Sequence, residues 1–194
     1  MNKSEKLSFK SGDLLKRGSY DNTFSGCYGV LHTAAVVDLR EVVIAKTDVV
    51  KLAIDGTINV LSSVKENKIE RFVNISSVAA IISMEKPIDH ILVGTDWNTW
   101  STIEKDAYGF AKTEAEKIIW ANDNGIDTNT TTVVSLNPSI ILGPCFTKTH
   151  MNYSTTTLIK HVLVGTPTAL DLPLNFVDAR DVAICSVWHL QNLK

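Results

Sequence analysis

Short apolar runs alternate with helical-period segments from one end of the chain to the other. That alternation calls for βαβ units around a mainly parallel sheet rather than a helix bundle or an antiparallel sandwich. Five runs read as strands: Leu7 to Phe9, Gly29 to Ala35, Arg71 to Ile75, Thr132 to Leu136 and Leu174 to Val177. Between the second and third, Val49, Val50, Ala53, Ile54, Ile58, Leu61 and Val64 recur at three and four, so a helix capped by Asp48 runs to about Asn67. Gly56 interrupts its apolar face, and a helical glycine costs about 1 kcal/mol relative to alanine, so it reads as a point of close helix-to-strand approach. Asp106 caps a second helix, AYGFAKTEAEKIIWAND, with Ala111, Ala115, Ile118 and Ile119 inward and Gly125 as its C-terminal cap. Asp178 precedes a last helix, ARDVAICSVWHLQ, whose early acidic residues suit the positive end of the helix dipole. Segments 84–106 and 143–154 remain as long loops at the carboxyl ends of strands, where ligands bind in such sheets.

Composition narrows the function classes. At about 150 residues per domain, 194 residues predict a single domain over 1–194. A formal charge of −2 with no basic block argues against a nucleic-acid or polybasic membrane surface. The longest apolar patches, Phe72 to Met84 and Val133 to Leu142, are broken by polar residues or proline and fall short of the ~20 residues of a membrane span. The N-terminal stretch MNKSEKLSFKSGDLLKRG has no apolar core of a secretory signal. Cys27, Cys145 and Cys185 are odd in number and far apart, which suggests neither a disulfide framework nor a metal site. A reducing, cytoplasmic setting is the expectation.

Tyr108 and Lys112 stand four apart on the second helix, so both side chains can reach one ligand. Chance supplies roughly 0.3 such pairs in this composition, so the spacing gains weight only from its context. That context is Ser76-Ser77, at the carboxyl end of the Arg71 to Ile75 strand and beside the start of the helix. A phenol titrating near 10 needs a neighbouring cation to act as an acid-base group at neutral pH, and Lys112 is placed to supply one. A serine hydroxyl there can hydrogen-bond a substrate carbonyl.

In order, GDLL (Gly12 to Leu15), SGCYGVLHTAA (Ser25 to Ala35), DGTINVL (Asp55 to Leu61), RFVNISSVAA (Arg71 to Ala80), DWNT (Asp96 to Thr99), YGFAKTEAEK (Tyr108 to Lys117), NPSIILGP (Asn137 to Pro144) and NFVDARDVA (Asn175 to Ala183) run through the chain. Taken together they resemble the extended short-chain dehydrogenase/reductase superfamily, in its dihydroflavonol 4-reductase, cinnamoyl-CoA reductase and aldehyde-reductase-like branch. The resemblance implies a doubly wound, Rossmann-like α/β sheet and an NADP- or NAD-dependent oxidoreductase acting on a small carbonyl or alcohol substrate, with NADP favoured. It implies Tyr108 as general acid, Lys112 as the residue that holds the nicotinamide ribose and lowers the tyrosine pKa, and Ser77 as the group orienting the carbonyl. Asp13 and Leu14 would flank the adenine, Thr33, Ala34 and Ala35 would pass the cofactor at a strand end together with Ser76, and Pro138 would close over the nicotinamide. A homodimer through the helices after Asp48 and Asp106 is what the superfamily suggests.

The chain departs from that pattern in one important respect. Among its ten glycines there is no G-x-x-G-x-x-G or G-x-G-x-x-G turn to seat a pyrophosphate; Gly26 and Gly29 come closest, but His32 stands third. Aligned on GDLL, the chain starts at the third strand of the nucleotide-binding sheet, so the expectation is a domain lacking the first two strands, about 50 residues, and most of the C-terminal substrate-binding part. In a sheet ordered 3-2-1-4-5-6, the Leu7 strand then has no neighbour and the Gly29 strand becomes an edge. A fragment of a working reductase is the favoured reading. The alternatives are a non-catalytic remnant or partner-completed module and, within the superfamily, a 3β-hydroxysteroid dehydrogenase or a sugar-nucleotide epimerase or dehydratase.

Overall fold

The computed structural model describes residues 6–35, 46–87, 89–121, 125–148, 154–165 and 175–192. Three parallel strands, β1 (Gly29–His32), β2 (Arg71–Ile75) and β3 (Thr132–Leu136), form a sheet in that order. Phe72, Val73 and Asn74 are successive and all buried, as expected for a central strand covered on both faces. The register sets Val30 beside Phe72, and Phe72 beside Val133.

One face of this sheet carries α2 (Lys46–Glu66) and α3 (Ala107–Trp120), which pack on each other. Their inward residues Val60, Leu61, Val64 and Ile119 close with Val30, Ile69 and Phe72 into the core. The other face receives α5 (Ala179–Asn192), which packs on β1 and β2. Gly29 lets α5 and β1 approach closely, because a Cβ would stand 2.8 Å from the end of the Leu190 side chain of α5 and 3.2 Å from the Arg71 side chain. Helices on both faces of a parallel sheet make the doubly wound, Rossmann-like arrangement that the alternation predicts. A short helix α1 (Asp21–Phe24) precedes β1 and is tied to α2 by Ser63 Oγ donating to Asp21 Oδ1 at 2.6 Å. Two further strands, β4 (Ile140–Leu142) and β5 (Phe176–Asp178), pair in parallel as a second small sheet, with α4 (Ser154–Leu163) against β4.

The N-terminus of α3 is built as expected: Asp106 Oδ1 accepts from the Gly109 amide at 3.0 Å. A Cβ on Gly109 would collide with that carboxylate and with Ser101 Oγ, so glycine lets the cap close.

Several expectations are corrected. Leu7 to Phe9 is not a strand, and Leu7 and Phe9 are 67% and 89% exposed; a strand persists only where a neighbour satisfies its ladder, and none lies beside it among the described residues. The strand read over Gly29 to Ala35 stops at His32, whose partner is Asn74; from Thr33 the chain leaves the ladder. Helix α2 begins at Lys46, so Asp48 lies within its first turn rather than capping it. Gly56 is approached by the Leu14 side chain, 3.4 Å from where a Cβ would stand, and not by a strand. Helix α3 ends at Trp120, where the Ala121 amide bonds back to Ile118 O; Gly125, at φ +79°, stands five residues beyond that end and does not cap the helix. Leu174 lies outside the described residues. Asp178 ends β5, and α5 starts at the next residue. The sequence pattern also missed α1, α4 and β4, the last because Pro138 and Ser139 break an apolar run that the chain re-enters as a strand of a different sheet. Among the described residues, no helix is long and apolar enough to cross a membrane.

His32 closes the core cluster at the strand ends, its ring stacked on Phe72 at 6.2 Å between centroids. Burial, and secondarily the Lys112 ammonium, push its pKa down to about 4. Its proton is therefore bound more tightly by the unfolded chain, where an imidazole titrates near 6.5. Its contribution to stability is fully present above pH 6.5 and is lost as the pH falls toward 4. Chemical denaturation across that window should show a decline that His32→Gln flattens. At neutral pH, Phe72→Ala should destabilise the protein by about 3–5 kcal/mol, whereas Phe9→Ala should leave the urea midpoint unchanged.

Candidate active site

A narrow cleft, open to solvent, lies where the carboxyl ends of β1 and β2 meet α2 and α3. Helix α2 gives it an apolar wall of Val49, Leu52 and Ala53, with Gly56 leaving room for Leu14 at its edge. Leu14 is held in place because Asn59 Nδ2, on α2, donates to its carbonyl at 2.7 Å. Opposite, Tyr108, Lys112 and Glu116 rise at one-turn intervals along α3. The floor is the end of β2 with Ser76, whose buried hydroxyl has no hydrogen-bond partner among the described residues. A buried hydroxyl without a partner costs about 1–3 kcal/mol, a cost that a bound polar group in the cleft would relieve.

After Ser76 the chain turns sharply into a 3-10 segment, Val78–Ala80. Ser77 caps that segment by accepting from the Ala79 amide at 3.1 Å, and its hydroxyl lies close enough to Tyr108 to draw the pKa of the phenol down. Two asparagines fix this turn. Asn137 donates to Ser77 O at 3.1 Å from the segment leaving β3. Asn98 donates through Nδ2 to Ala79 O at 2.8 Å and to Ser101 Oγ at 2.7 Å. Ser101 Oγ in turn donates to Asp106 Oδ2 at 2.8 Å. A continuous polar chain thus runs from the Ser77 turn through Asn98 and Ser101 to the cap of the helix that carries Tyr108. Farther along the same long loop, Asp96 accepts from the Val93 amide and pairs with His90, both at 2.8 Å, and with Lys86. Those partners hold its carboxyl well below the usual carboxylate range.

The electrostatics differ from the simple expectation that Lys112 lowers the tyrosine pKa. Burial raises Tyr108 above its ordinary value, the Ser77 hydroxyl pulls the other way, and Asp106 adds to the rise. Burial likewise lowers Lys112, against the pull of Glu116. Both groups are withdrawn from water, so the desolvation of each charged form outweighs the neighbouring charges.

The residues singled out in the sequence divide into two sets. Leu14, Ala34, Ala35, Ser76, Tyr108 and Lys112 line the cleft. Ser77 lies behind it, next to Tyr108. Asp13, Thr33 and Pro138 are not brought to its wall among the described residues: the Asp13 carboxylate accepts from the Leu15 amide at 2.9 Å in a turn, and Pro138 O accepts from the Val78 amide at 3.0 Å behind the serines. Sequence reasoning overlooked His32, Glu116 and Asn98. The i+4 spacing from Lys112 to Glu116 was a readable signal. Asn98 falls within the DWNT motif, but its structural task was not readable there, since its partners are 19 and 3 residues away.

A hydroxyl proton donor, a cation one turn beyond it and an orphaned hydroxyl beside an apolar wall form a set suited to moving a proton onto a bound small molecule. Comparison with known proteins agrees with that geometry. The model of the 3-beta hydroxysteroid dehydrogenase/isomerase family matches residues 1–194. Cinnamoyl-CoA reductase 2 of Medicago truncatula is 30% identical over 187 residues, covering 93% of this chain and 52% of that protein. Tetraketide alpha-pyrone reductase 1 of Arabidopsis thaliana is 32% identical over 147 residues, covering 72% of this chain and 43% of that one. The crystal structure of Gre2 from Candida albicans in complex with NADPH superposes with a TM-score of 0.75 at 26% identity, covering 93% of this chain and 58% of that one. The chain therefore spans about half the length of the relatives it matches. With the family model matching from its first residue to its last, this chain belongs to the 3-beta hydroxysteroid dehydrogenase/isomerase family.

Proposed function

We propose that residues 1–194 act as one unit carrying the proton-transfer site of an NAD(P)H-dependent carbonyl reductase, with NADPH the preferred cofactor and a small aldehyde, ketone or thioester as substrate. The observation that carries this reading is a cleft in which Tyr108 and Lys112 stand one turn apart beside the buried Ser76 hydroxyl, unpartnered among the described residues, with Ser77 behind it next to Tyr108. The names of its relatives support it: cinnamoyl-CoA reductases among the sequences, and among the solved structures the yeast methylglyoxal/isovaleraldehyde reductase Gre2 complexed with NADPH, 25% identical with a TM-score of 0.71.

The residues present fit the ribose and nicotinamide end of a nicotinamide dinucleotide, while the glycine turn that would seat its pyrophosphate is not among them. Ala34, Ala35 and Gly56 leave space along the cleft, Ser76 offers its hydroxyl, and Lys112 offers an ammonium to ribose hydroxyls. The bound cofactor supplies the hydride. Ser77 orients the substrate carbonyl through its hydroxyl, and Tyr108 gives its phenolic proton to the carbonyl oxygen. Lys112 opposes the negative charge left on the phenolate. The raised Tyr108 pKa suits this direction, because the phenol stays protonated as a donor through neutral pH. The reading includes a homodimer through α2 and α3, which expose Ile58 and Trp120 on their outer surfaces.

Purified protein should be screened with both reduced cofactors against small aldehydes, ketones and hydroxycinnamoyl thioesters. Tyr108→Phe should lower kcat by about 10²–10⁴-fold while leaving NADPH affinity, read by fluorescence titration, largely intact. Lys112→Ala should damage both. Normal turnover in the Tyr108→Phe variant would sink the mechanism. The rate of carbonyl reduction should be flat through neutral pH and fall on the alkaline side as Tyr108 loses its proton; a rate that rises with pH would contradict Tyr108 as the donor.

A further inference from the structure

Glu116 is 4% exposed. A carboxylate so buried requires partners. Asn137 Nδ2 donates to its Oε2 at 2.7 Å, and Trp120 Nε1 to its Oε1 at 3.4 Å. Both donors are neutral, so hydrogen bonding alone does not explain why an acid stands here. A glutamine oxygen would accept from Asn137 equally well. What only the acid brings is negative charge, and it brings it one helical turn from Lys112 on the wall of the same cleft. The Asn137 amide that holds Glu116 also holds Ser77 O, so the carboxylate is anchored to the turn that bears Ser76 and Ser77.

We propose that Glu116 is a positioning residue of this site: fixed by Asn137, its carboxylate is the buried counter-charge that keeps the Lys112 ammonium charged and in place in the cleft. The surroundings leave it that task. On α3 itself, Tyr108 is neutral at working pH; from β1, His32 is neutral and adds no negative charge; α2 presents apolar residues and Thr57 to the cleft; and the turn after β2 presents Ser76. Glu116 is thus the one acidic residue among the described residues that line the cleft. Burial alone would drive the Lys112 proton off, and Glu116 acts against that.

The effect on Lys112 is readable without catalysis. The rate of acetic anhydride labelling of Lys112, followed by mass spectrometry against pH with exposed Lys117 as internal reference, reports the uncharged amine. Glu116→Gln, which keeps an acceptor for Asn137, should raise Lys112 labelling at neutral pH by about 10-fold, corresponding to about one pKa unit. Glu116→Asp, which keeps the charge, should label nearly as the wild type. Unchanged Lys112 labelling in Glu116→Gln would overturn the proposal. Should that variant fold poorly, a double-mutant cycle with Lys112→Met gives a second reading. Glu116→Gln should destabilise the wild-type background more than the Lys112→Met background, and equal effects in both would also overturn the proposal. NADPH titration adds a readout that rests on the reductase reading: affinity should fall at lower pH in Glu116→Gln than in the wild type. A wild-type NADPH affinity that Lys112→Ala leaves unchanged would reject the reductase reading and leave the labelling result standing on its own.

Discussion

The pairing of β2 between β1 and β3 is the constraint on which the rest of the molecule depends. Parallel strands share a direction, so the carboxyl ends of all three open at one edge, and whatever follows them gathers there. β2 runs one residue beyond its last pair with β1. Its last pair with β1 is Asn74 beside His32, and the turn at Ser76-Ser77 then carries the chain across the top of the sheet. Were β2 to slip by one residue, Phe72 would leave the core and Ser76 would leave the floor of the cleft, because side chains alternate faces along a strand.

Around that turn the protein commits several buried polar groups, and it satisfies nearly all of them. Asn98, Ser101, Asn137 and Glu116 are each spoken for, and the cap at Asp106 closes the chain of hydrogen bonds onto the helix bearing Tyr108. Fully satisfied networks of this kind rigidify a site, since any displacement leaves a buried donor or acceptor without a partner. The exception is Ser76, unpartnered among the described residues at the floor of the cleft. Orphaned polarity beside full satisfaction distinguishes a surface shaped for something else from a merely structural interior. The same burial that stiffens the site also dominates its ionisation, holding Tyr108 protonated and leaving Lys112 reliant on a neighbouring acid.

Membership in the 3-beta hydroxysteroid dehydrogenase/isomerase family sets the chemistry expected of such a cleft, while the chain covers about half the length of its reductase relatives. Fold and family do not fix a substrate. In the proposed reading, the described part of the cleft serves the proton and the cation, features that reductases of different substrates can hold in common.

Much of this was legible in the amino-acid order. The alternation of apolar runs and helical periods determined a doubly wound parallel sheet, because a strand buried on both faces and a helix buried on one leave different periodicities in the chain. The Asp106 cap and the Tyr108–Lys112 spacing were local signals, and local geometry realises them directly. What the sequence misjudged depends on partners. Leu7 to Phe9 has the composition of a strand but no neighbour to ladder with, and β4 and β5 exist because two three-residue segments, far apart in the chain, meet. The ionisation of Tyr108 and Lys112 could not be read from their spacing, since it turns on how much water each loses. Only the tertiary structure brought Asn137 and Asn98 to the two sides of the Ser77 turn and set Glu116 beside Lys112 under cover from solvent, because hydrogen bonds between distant segments, and the burial that gives them weight, arise only when the chain has packed.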